Sequence, residues 1–107
     1  MATVMVQFSY TEQGMKGLIK EGGTKRREAT EQLVKSLGGK LVAYYFAFGE
    51  YDGFAIVEGL DNVDATAANL IVGASGAVRT KTTVLLTPAE VDKAIRKSGN
   101  YRAPGQT

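Results

Sequence analysis

The sequence of 107 residues contains no cysteine, no histidine and no tryptophan. Without cysteine and histidine, the chain cannot form a disulfide, a thiol nucleophile, a Ser-His-Asp triad or a zinc site with Cys and His ligands. We therefore expect no metal site and no cofactor. Acid–base chemistry would fall to Asp, Glu, Lys or Tyr side chains whose pKa values are shifted in a partly desolvated pocket.

A strong charge imbalance and long apolar runs are also missing. The net charge of +2 gives no reason to expect an acidic partner such as a nucleic acid. No stretch approaches the roughly 18 apolar residues of a membrane span, and residues 1–10 show neither the basic start nor the apolar core of a secretory leader. We expect a cytoplasmic chain with no membrane or nucleic-acid partner.

Periodicity in the sequence predicts four strands and three helical regions. Apolar and polar residues alternate in the first strand, and apolar residues recur at helical spacing between strands. Glycine pairs interrupt the first helical region at 22–23 and end it at 38–39. The predicted strands are residues 3–10, 40–48, 51–58 and 77–86, and the predicted helical regions are 15–37, 62–74 and 88–97.

Local signals indicate where several elements begin or end. Thr24 is a candidate cap for the second part of the first helical region, and Gly49-Glu50 predicts a tight connection between the second and third strands. In the next helix an apolar stripe is predicted at positions 63, 67, 70, 71 and 74. The segment Thr87-Pro88-Ala89-Glu90 combines a cap, a proline at the first helical position and a glutamate that closes a capping box.

The order βαββαβ is typical of an α+β, ferredoxin-like fold, in which two helices cover one face of a four-stranded antiparallel sheet. The second strand is apolar at both parities over residues 41–48, so we expect both of its faces to be covered. A monomer would leave one face as a large apolar patch in water. We therefore expect a homodimer or higher homo-oligomer, built from a domain at 1–99 with a flexible tail at 100–107.

Three segments have both a functional and a structural interpretation. Residues 52–58 partly resemble an RNA-recognition strand but lack its basic and stacking residues, which favours a plain core strand. Residues 21–27 place glycines and basic side chains at a helix start, where Arg26 could serve an anion site or lie in a solvated turn. Arg79 and Lys81 share one parity of the fourth strand, which is compatible with a pocket interior, an exposed margin or pairs across a dimer.

A set of separated motifs carries a family resemblance that extends from residue 10 to about 95. The motifs are Gly38-Gly39-Lys40, Gly49-Glu50-Tyr51-Asp52, Glu58 and Gly76-Ala77-Val78-Arg79-Thr80. In this order they resemble the GYD-domain family. Arg26 also falls where sequences of that family commonly have arginine, whereas residues 45–48 contain no tryptophan, which members of the family often carry there. The resemblance implies a dimeric α/β barrel, in which two ferredoxin-like sheets face one another, and implies almost nothing about function.

Our first functional hypothesis is a small-molecule site between the helices and the sheet. Aromatic and charged residues near strand ends would line it and orient a polar or anionic group. If the site is catalytic, Asp52 is the candidate base, and Arg79 or Lys16 would stabilise an enolate-like anion. Asp52 can equally be a turn residue that accepts local N–H groups. The candidate ligand-binding residues are Tyr10, Lys16, Arg26, Tyr45, Phe48, Asp52 and Arg79.

The second hypothesis is a non-enzymatic, homo-oligomerising assembly module. It follows from the two-sided apolar strand and from the lack of a recognisable catalytic set. The sequence leaves both hypotheses open.

Overall fold

The computed structural model, which describes residues 2–106, has four strands and four helices. They are β1 (Ala2–Tyr10), α1 (Glu12–Glu21), α2 (Gly23–Ser36), β2 (Lys40–Phe46), β3 (Gly53–Leu60), α3 (Asn62–Ala74), β4 (Val78–Leu85) and α4 (Pro88–Ile95). The α+β, ferredoxin-like order is confirmed, as is a short helix after the last strand. Among the described residues, no helix is both long and apolar enough to cross a membrane.

The four strands form one open antiparallel sheet in the order β2-β3-β1-β4. The central strand β1 pairs along its length with β3 on one side and with β4 on the other, so that Phe8 lies opposite both Gly53 and Thr80. Strands β2 and β4 are the edges. This order places the C-terminal end of β1 beside the start of β3 and the start of β4, where the candidate site lies.

The core lies between the sheet and the helices. Val4 of β1, Leu41 of β2 and Val57 of β3 are buried on the covered face, and Val34 of α2 is buried against them. The pairing Val4–Val57–Leu41 puts the three strand side chains on one face, and burial of each contributes roughly 1.5–3 kcal/mol. Beside this core, the rings of Phe8 and Tyr44 stack with centroids 5.2 Å apart.

A β-bulge in β2 changes which of its side chains face the core. The register between β2 and β3 shifts between Leu41 and Ala43. The shift leaves Val42 unpaired, so the side chains beyond it alternate with the opposite parity. Tyr44 therefore lies on the helix-covered face with Phe8, while Tyr45 lies on the other face beside Phe54, with ring centroids 5.6 Å apart.

The sheet face away from α2 and α3 carries a mixture of apolar and polar side chains. Tyr45 on this face is 60% exposed, and Phe54 and Ile56 are half-buried beside it. We call this surface the open face, and its central members are Met5, Gln7, Ser9, Ala43, Tyr45, Phe54, Ile56, Arg79, Lys81 and Thr83.

The side of helix α3 that faces the core is not the apolar stripe that its sequence predicts. The predicted stripe points outwards, where Val63 is 76% exposed, Leu70 68% and Ile71 53%. The inward side includes the small residue Ala65, which packs against the core, together with Ala68. Small side chains let a helix approach a sheet closely, and simple hydrophobic periodicity gives them little weight. The prediction of the buried stripe was wrong, and α3 has apolar residues on both sides.

Helix α4 projects from the rest of the domain. Its capping box forms as predicted, with Glu90 N–H donating to Thr87 Oγ1 at 3.1 Å and Thr87 N–H to Glu90 Oε1 at 3.0 Å. Within the described chain α4 makes at most marginal contacts with other elements, and the molecule measures 61 × 31 × 23 Å. Val91 and Ile95 are exposed. We call residues 86–106 the C-terminal arm. The predicted tail begins inside it, and its last residue lies outside the described range.

Two predicted boundaries were wrong. The connection between β2 and β3 is the six-residue segment 47–52 rather than a tight turn at Gly49-Glu50. Its ends are joined by a hydrogen bond from Ala47 N–H to the Asp52 carbonyl at 2.8 Å. Thr24 is not a cap, because α2 begins at Gly23. Gly22, with φ 89°, ends α1 and precedes α2 directly, which leaves no room for another capping residue.

Replacement of Gly53 tests how tightly β3 packs against the Phe8 side chain of the neighbouring strand β1. A Cβ atom at Gly53 would overlap the Phe8 ring and the Tyr45 carbonyl oxygen. We expect Gly53→Ala to lower the free energy of unfolding by about 1–3 kcal/mol through overpacking, measured by urea titration. The control is Gly17→Ala in α1, which has open space around it and should raise stability by about 0.5–1 kcal/mol. An unchanged midpoint for Gly53→Ala would contradict the packing described here.

Candidate functional site

The covered face of the sheet forms one side of a partly open inner cavity of about 90 Å³ beneath α2 and α3. Valine, leucine, alanine and phenylalanine side chains form most of its wall. Six lining residues bring polar groups: Tyr10, Arg26, Thr30, Tyr44, Asn69 and Thr80. The volume is well below the roughly 300–1,000 Å³ of pockets for drug-sized ligands, so the cavity accepts only a very small molecule.

The sheet supplies one wall of the inner cavity and fixes its aromatic members. Tyr10 is the last residue of β1 and packs edge-on against Phe8, with ring centroids 5.7 Å apart. Phe8 in turn stacks on Tyr44 from β2. Because stacked and edge-to-face rings restrict each other, the two tyrosines are held at the cavity rather than free to rotate into solvent.

The helices supply the other wall. Arg26 lies in the first part of α2, and Thr30 one turn later donates its hydroxyl to the Arg26 carbonyl at 3.1 Å. From α3, Asn69 accepts a hydrogen bond from the Thr80 hydroxyl at 3.2 Å and donates one to Thr82 at 3.2 Å. These side-chain bonds tie α3 to β4 and leave Arg26 as the cationic group at the cavity.

The guanidinium of Arg26 is only partly satisfied. Its Nη1 donates to Glu21 Oε1 at 3.2 Å across the break between α1 and α2. Its Nε is buried and has no hydrogen-bond partner within the described residues. Burial opposes the charged form, but the Tyr10 hydroxyl and the Glu21 carboxylate outweigh it and raise the pKa of Arg26. Among the described residues, the side-chain hydrogen bond of standard geometry from Arg26 goes to Glu21, and the Tyr10 hydroxyl lies close by.

The Tyr44 hydroxyl keeps its proton far into the alkaline range. Burial, reinforced by the nearby Tyr10 hydroxyl, raises the pKa of Tyr44 well above its ordinary value of 10.0, although Thr30 and Arg26 act in the opposite direction. A neutral phenol is a hydrogen-bond donor. The cavity therefore combines a permanent cation with a hydroxyl that can donate.

A second depression connects this region to the surface. It is an outer groove of about 420 Å³ bordered by α1 and α3, and it shares Tyr10, Arg26, Val72 and Val78 with the inner cavity. Gly14 lies at its base, where α1 passes so close to the Ala77 carbonyl that no Cβ atom would fit. Tyr10 and Arg26 thus stand between an outer groove and an inner cavity.

The structure brings together only part of the predicted ligand-binding set. Tyr10 and Arg26 meet at the inner cavity. Lys16 lies on the exposed side of α1 in an ion pair with Glu12 at 3.4 Å. The remaining candidates lie elsewhere: Tyr45 and Arg79 are on the open face, and Phe48 is fully exposed in the 47–52 connection.

Asp52 contacts the main chain at the end of β1. Its Oδ2 accepts a hydrogen bond from Tyr10 N–H at 2.8 Å, and its own N–H donates to the Phe8 carbonyl at 2.8 Å. The Tyr10 N–H is 42 residues away along the chain, so Asp52 joins the β2–β3 connection to β1 and, within the described chain, does not accept the local N–H groups of the turn interpretation. The two bonds place its carboxylate on the Tyr10 backbone, and it does not line the inner cavity.

Sequence reasoning missed Tyr44, Asn69 and Thr80 as members of the site. Asn69 carried a signal, because an amide among the alanines and valines of a half-buried helix side usually has a polar partner. Thr80 shares the parity of Val78 in β4, on the side that faces the helices. The sequence gives no signal for Tyr44, because the bulge that turns its side chain towards the helices has no marker such as glycine.

The fold and this geometry define the class: a ferredoxin-like α+β domain with a small cavity whose polar rim holds one arginine and two tyrosines. The GYD domain family matches residues 5–95. The chain belongs to that family, and the resemblance seen in the sequence is confirmed. It is also similar to a protein of Thermus thermophilus called the glutamine synthetase and cystathionine beta-lyase binding protein. The two are 29% identical over 91 residues, which cover 85% of this chain and 95% of that protein.

The raised pKa of Tyr44 predicts a loss of stability in alkali. Above about pH 10 the Tyr44 hydroxyl loses its proton in the unfolded chain but keeps it in the folded chain. The free energy of unfolding linked to Tyr44 is therefore at its full value below about pH 10 and falls as the pH rises further. We expect the advantage of wild type over Tyr44→Phe, measured by urea unfolding, to shrink from about pH 9 to about pH 11. Tyr51→Phe, in the 47–52 connection and outside the cavity lining, is the control. A difference that stays constant with pH would contradict the burial of this hydroxyl.

Proposed function

We propose that the chain is a non-enzymatic binding module that works in the cytoplasm as a homodimer and attaches to the subunits of a metabolic enzyme. The observation that carries the proposal is the second apolar side of α3, which the core does not use. Val63, Leu70 and Ile71 lie there in the solvent. Contiguous exposed apolar side chains on a small domain are typical of a surface that binds another protein.

The name of the T. thermophilus relative supports the identity of the partner. That protein is named for binding glutamine synthetase and cystathionine beta-lyase, and its likeness to this chain spans nearly its whole length. We therefore take these two enzymes as the first candidate partners of this chain.

The open face supports the homodimer. Four strands spaced about 4.8 Å apart and eight residues long at about 3.3 Å each cover roughly 500 Å². A stable interface buries about 800 Å² per partner, so the open face alone falls short. The C-terminal arm, with Val91, Ile95 and Tyr101 exposed, has apolar area to add. We propose that the open face and the arm together cover a second copy, which leaves α3 outermost for the enzyme partner.

Binding of a small molecule in the inner cavity is a separate proposal. It rests on the Arg26, Tyr10 and Tyr44 cluster, and it is independent of the outer side of α3. It gives a second candidate function that protein binding does not exclude.

The homodimer is tested by the mass of the particle in solution. We expect light scattering after size exclusion to give twice the chain mass of 11.4 kDa. Tyr45→Arg places a charge on the open face without filling the core, and it should shift the mass to that of one chain. Ile19→Arg, at a similarly exposed apolar position on α1, should leave the dimer intact. A monomeric wild type, or a dimer unaffected by Tyr45→Arg, would contradict this assembly.

Enzyme attachment is tested with purified glutamine synthetase and cystathionine beta-lyase from the organism that encodes the chain. We expect immobilised chain to bind at least one of them in biolayer interferometry, and Leu70→Glu to weaken binding by about tenfold or more, as for a buried interface anchor. Ile19→Glu is the matched control. Leu70→Glu should retain the dimer mass, since α3 lies outside the proposed dimer surface. Wild-type affinity in Leu70→Glu, or no binding of either enzyme, would refute the assignment.

A further inference from the structure

We propose that the inner cavity is a binding site for a small monocarboxylate with a short apolar chain, its carboxylate on Arg26 and its chain inside the cavity. This inference specifies the ligand class of the small-molecule function and rests on it. It does not depend on protein binding through α3.

The strongest support is the unsatisfied donor on Arg26. Its Nε is buried without a hydrogen-bond partner in the described chain, while Nη1 is engaged by Glu21. A buried donor left without an acceptor costs about 1–3 kcal/mol. An incoming carboxylate oxygen would satisfy this donor through a charge-assisted hydrogen bond, the strong type that guanidinium groups form.

The other polar groups around the inner cavity favour an anion. Tyr10 and Tyr44 bring hydroxyls that can donate to a carboxylate. Arg26 is the charged member of the lining, and among residues 2–106 no Asp or Glu side chain lines the cavity itself. Glu21 lines the outer groove and pairs with Nη1 of Arg26, which leaves Nε for the incoming carboxylate.

Size and wall chemistry restrict what the anion can be. The volume of about 90 Å³ is far below the roughly 300–1,000 Å³ of pockets for drug-sized ligands, which suits an acid of about four to six non-hydrogen atoms. The interior wall includes Val6, Leu33, Val34, Ala55 and Val72. An alkyl chain can pack against these apolar side chains. The phosphate oxygens that do not contact Arg26 would lose their bound water and find no hydrogen-bond partners there.

The outer groove supplies a path for entry. It runs between α1 and α3 and borders the same Tyr10 and Arg26 side chains that rim the inner cavity. An acid that enters by its apolar end would leave its carboxylate at Arg26, where the two spaces meet. The geometry therefore orients the ligand with the charge outermost.

The test is titration of the full chain, labelled with ¹⁵N, by sodium butyrate, with butyramide as the neutral analogue and inorganic phosphate as the alternative anion. We expect saturable shifts of amides around Tyr10, Arg26 and Tyr44 with butyrate, and none with phosphate. Arg26→Gln should weaken butyrate binding by about tenfold or more. Arg27→Gln, the next residue on α2 and ion-paired with Glu31 at the surface, should bind like wild type.

A second variant guards against misfolding of Arg26→Gln, which a collapsed spectrum would reveal. Tyr44→Phe keeps the ring and removes one donor, so it should weaken butyrate binding by a smaller factor than Arg26→Gln does. If butyramide binds as tightly as butyrate, the cavity is a small-molecule site but the carboxylate assignment is overturned. If phosphate binds at the same residues with equal affinity, the ligand class is wrong. If no probe shifts these amides, both the ligand class and the small-molecule function fall.

Discussion

Three parts of the chain are joined at the peptide groups of Tyr10 and Thr11. Tyr10 N–H donates to the Asp52 carboxylate at 2.8 Å, and Thr11 N–H donates to the Ala77 carbonyl at 3.0 Å. The Thr11 hydroxyl caps α1 by accepting from Gly14 N–H at 3.2 Å. Because β1 is the central strand, these bonds fix the β2–β3 connection, the first helix and the start of β4 relative to one another. Each of them satisfies a half-buried backbone group that would otherwise be costly.

The break between α1 and α2 places Arg26 beside Tyr10, and so links the inner cavity to the hydrogen bonds at Tyr10 and Thr11. Gly22 takes a positive φ that other residues rarely adopt, and it lets α2 start immediately in a new direction. Arg26 is thereby carried to the end of β1, beside Tyr10, while Glu21 remains on α1 and pairs with it at 3.2 Å. A longer linker between the helices would not hold the guanidinium in this place. The position of the cation is thus set by backbone geometry rather than by the ion pair, which is worth little at a partly exposed position.

The sequence predicted the structure correctly where a pattern of residues is compatible with a single local structure. The element order and the capping box at Thr87 were accessible from periodicity and from turn residues. The expectation that both faces of β2 are covered stays a prediction, because Val42, Tyr45 and Phe46 are exposed in the single chain. The prediction of the buried side of α3 was wrong. The hydrophobic pattern is dominated by the larger side chains Leu70 and Ile71, which are exposed, whereas the alanines let the helix approach the sheet. Sequence reasoning also failed to separate Tyr44 from Tyr45, because an unmarked bulge at Val42 reverses their directions. Side-chain direction after a bulge depends on pairing with β3, which local sequence does not encode.

The isolation of α4 has a thermodynamic consequence. An eight-residue helix with no substantial tertiary contact is marginal in water, and a capping box adds only about 1 kcal/mol. Its folding is therefore linked by mass action to whatever surface it meets. The amide protons of residues 91–95 would then exchange slowly in concentrated protein and rapidly in dilute protein, while those of β1 would not change. In the proposed homodimer, hydrogen exchange in the last helix would therefore report what fraction of the chain is associated.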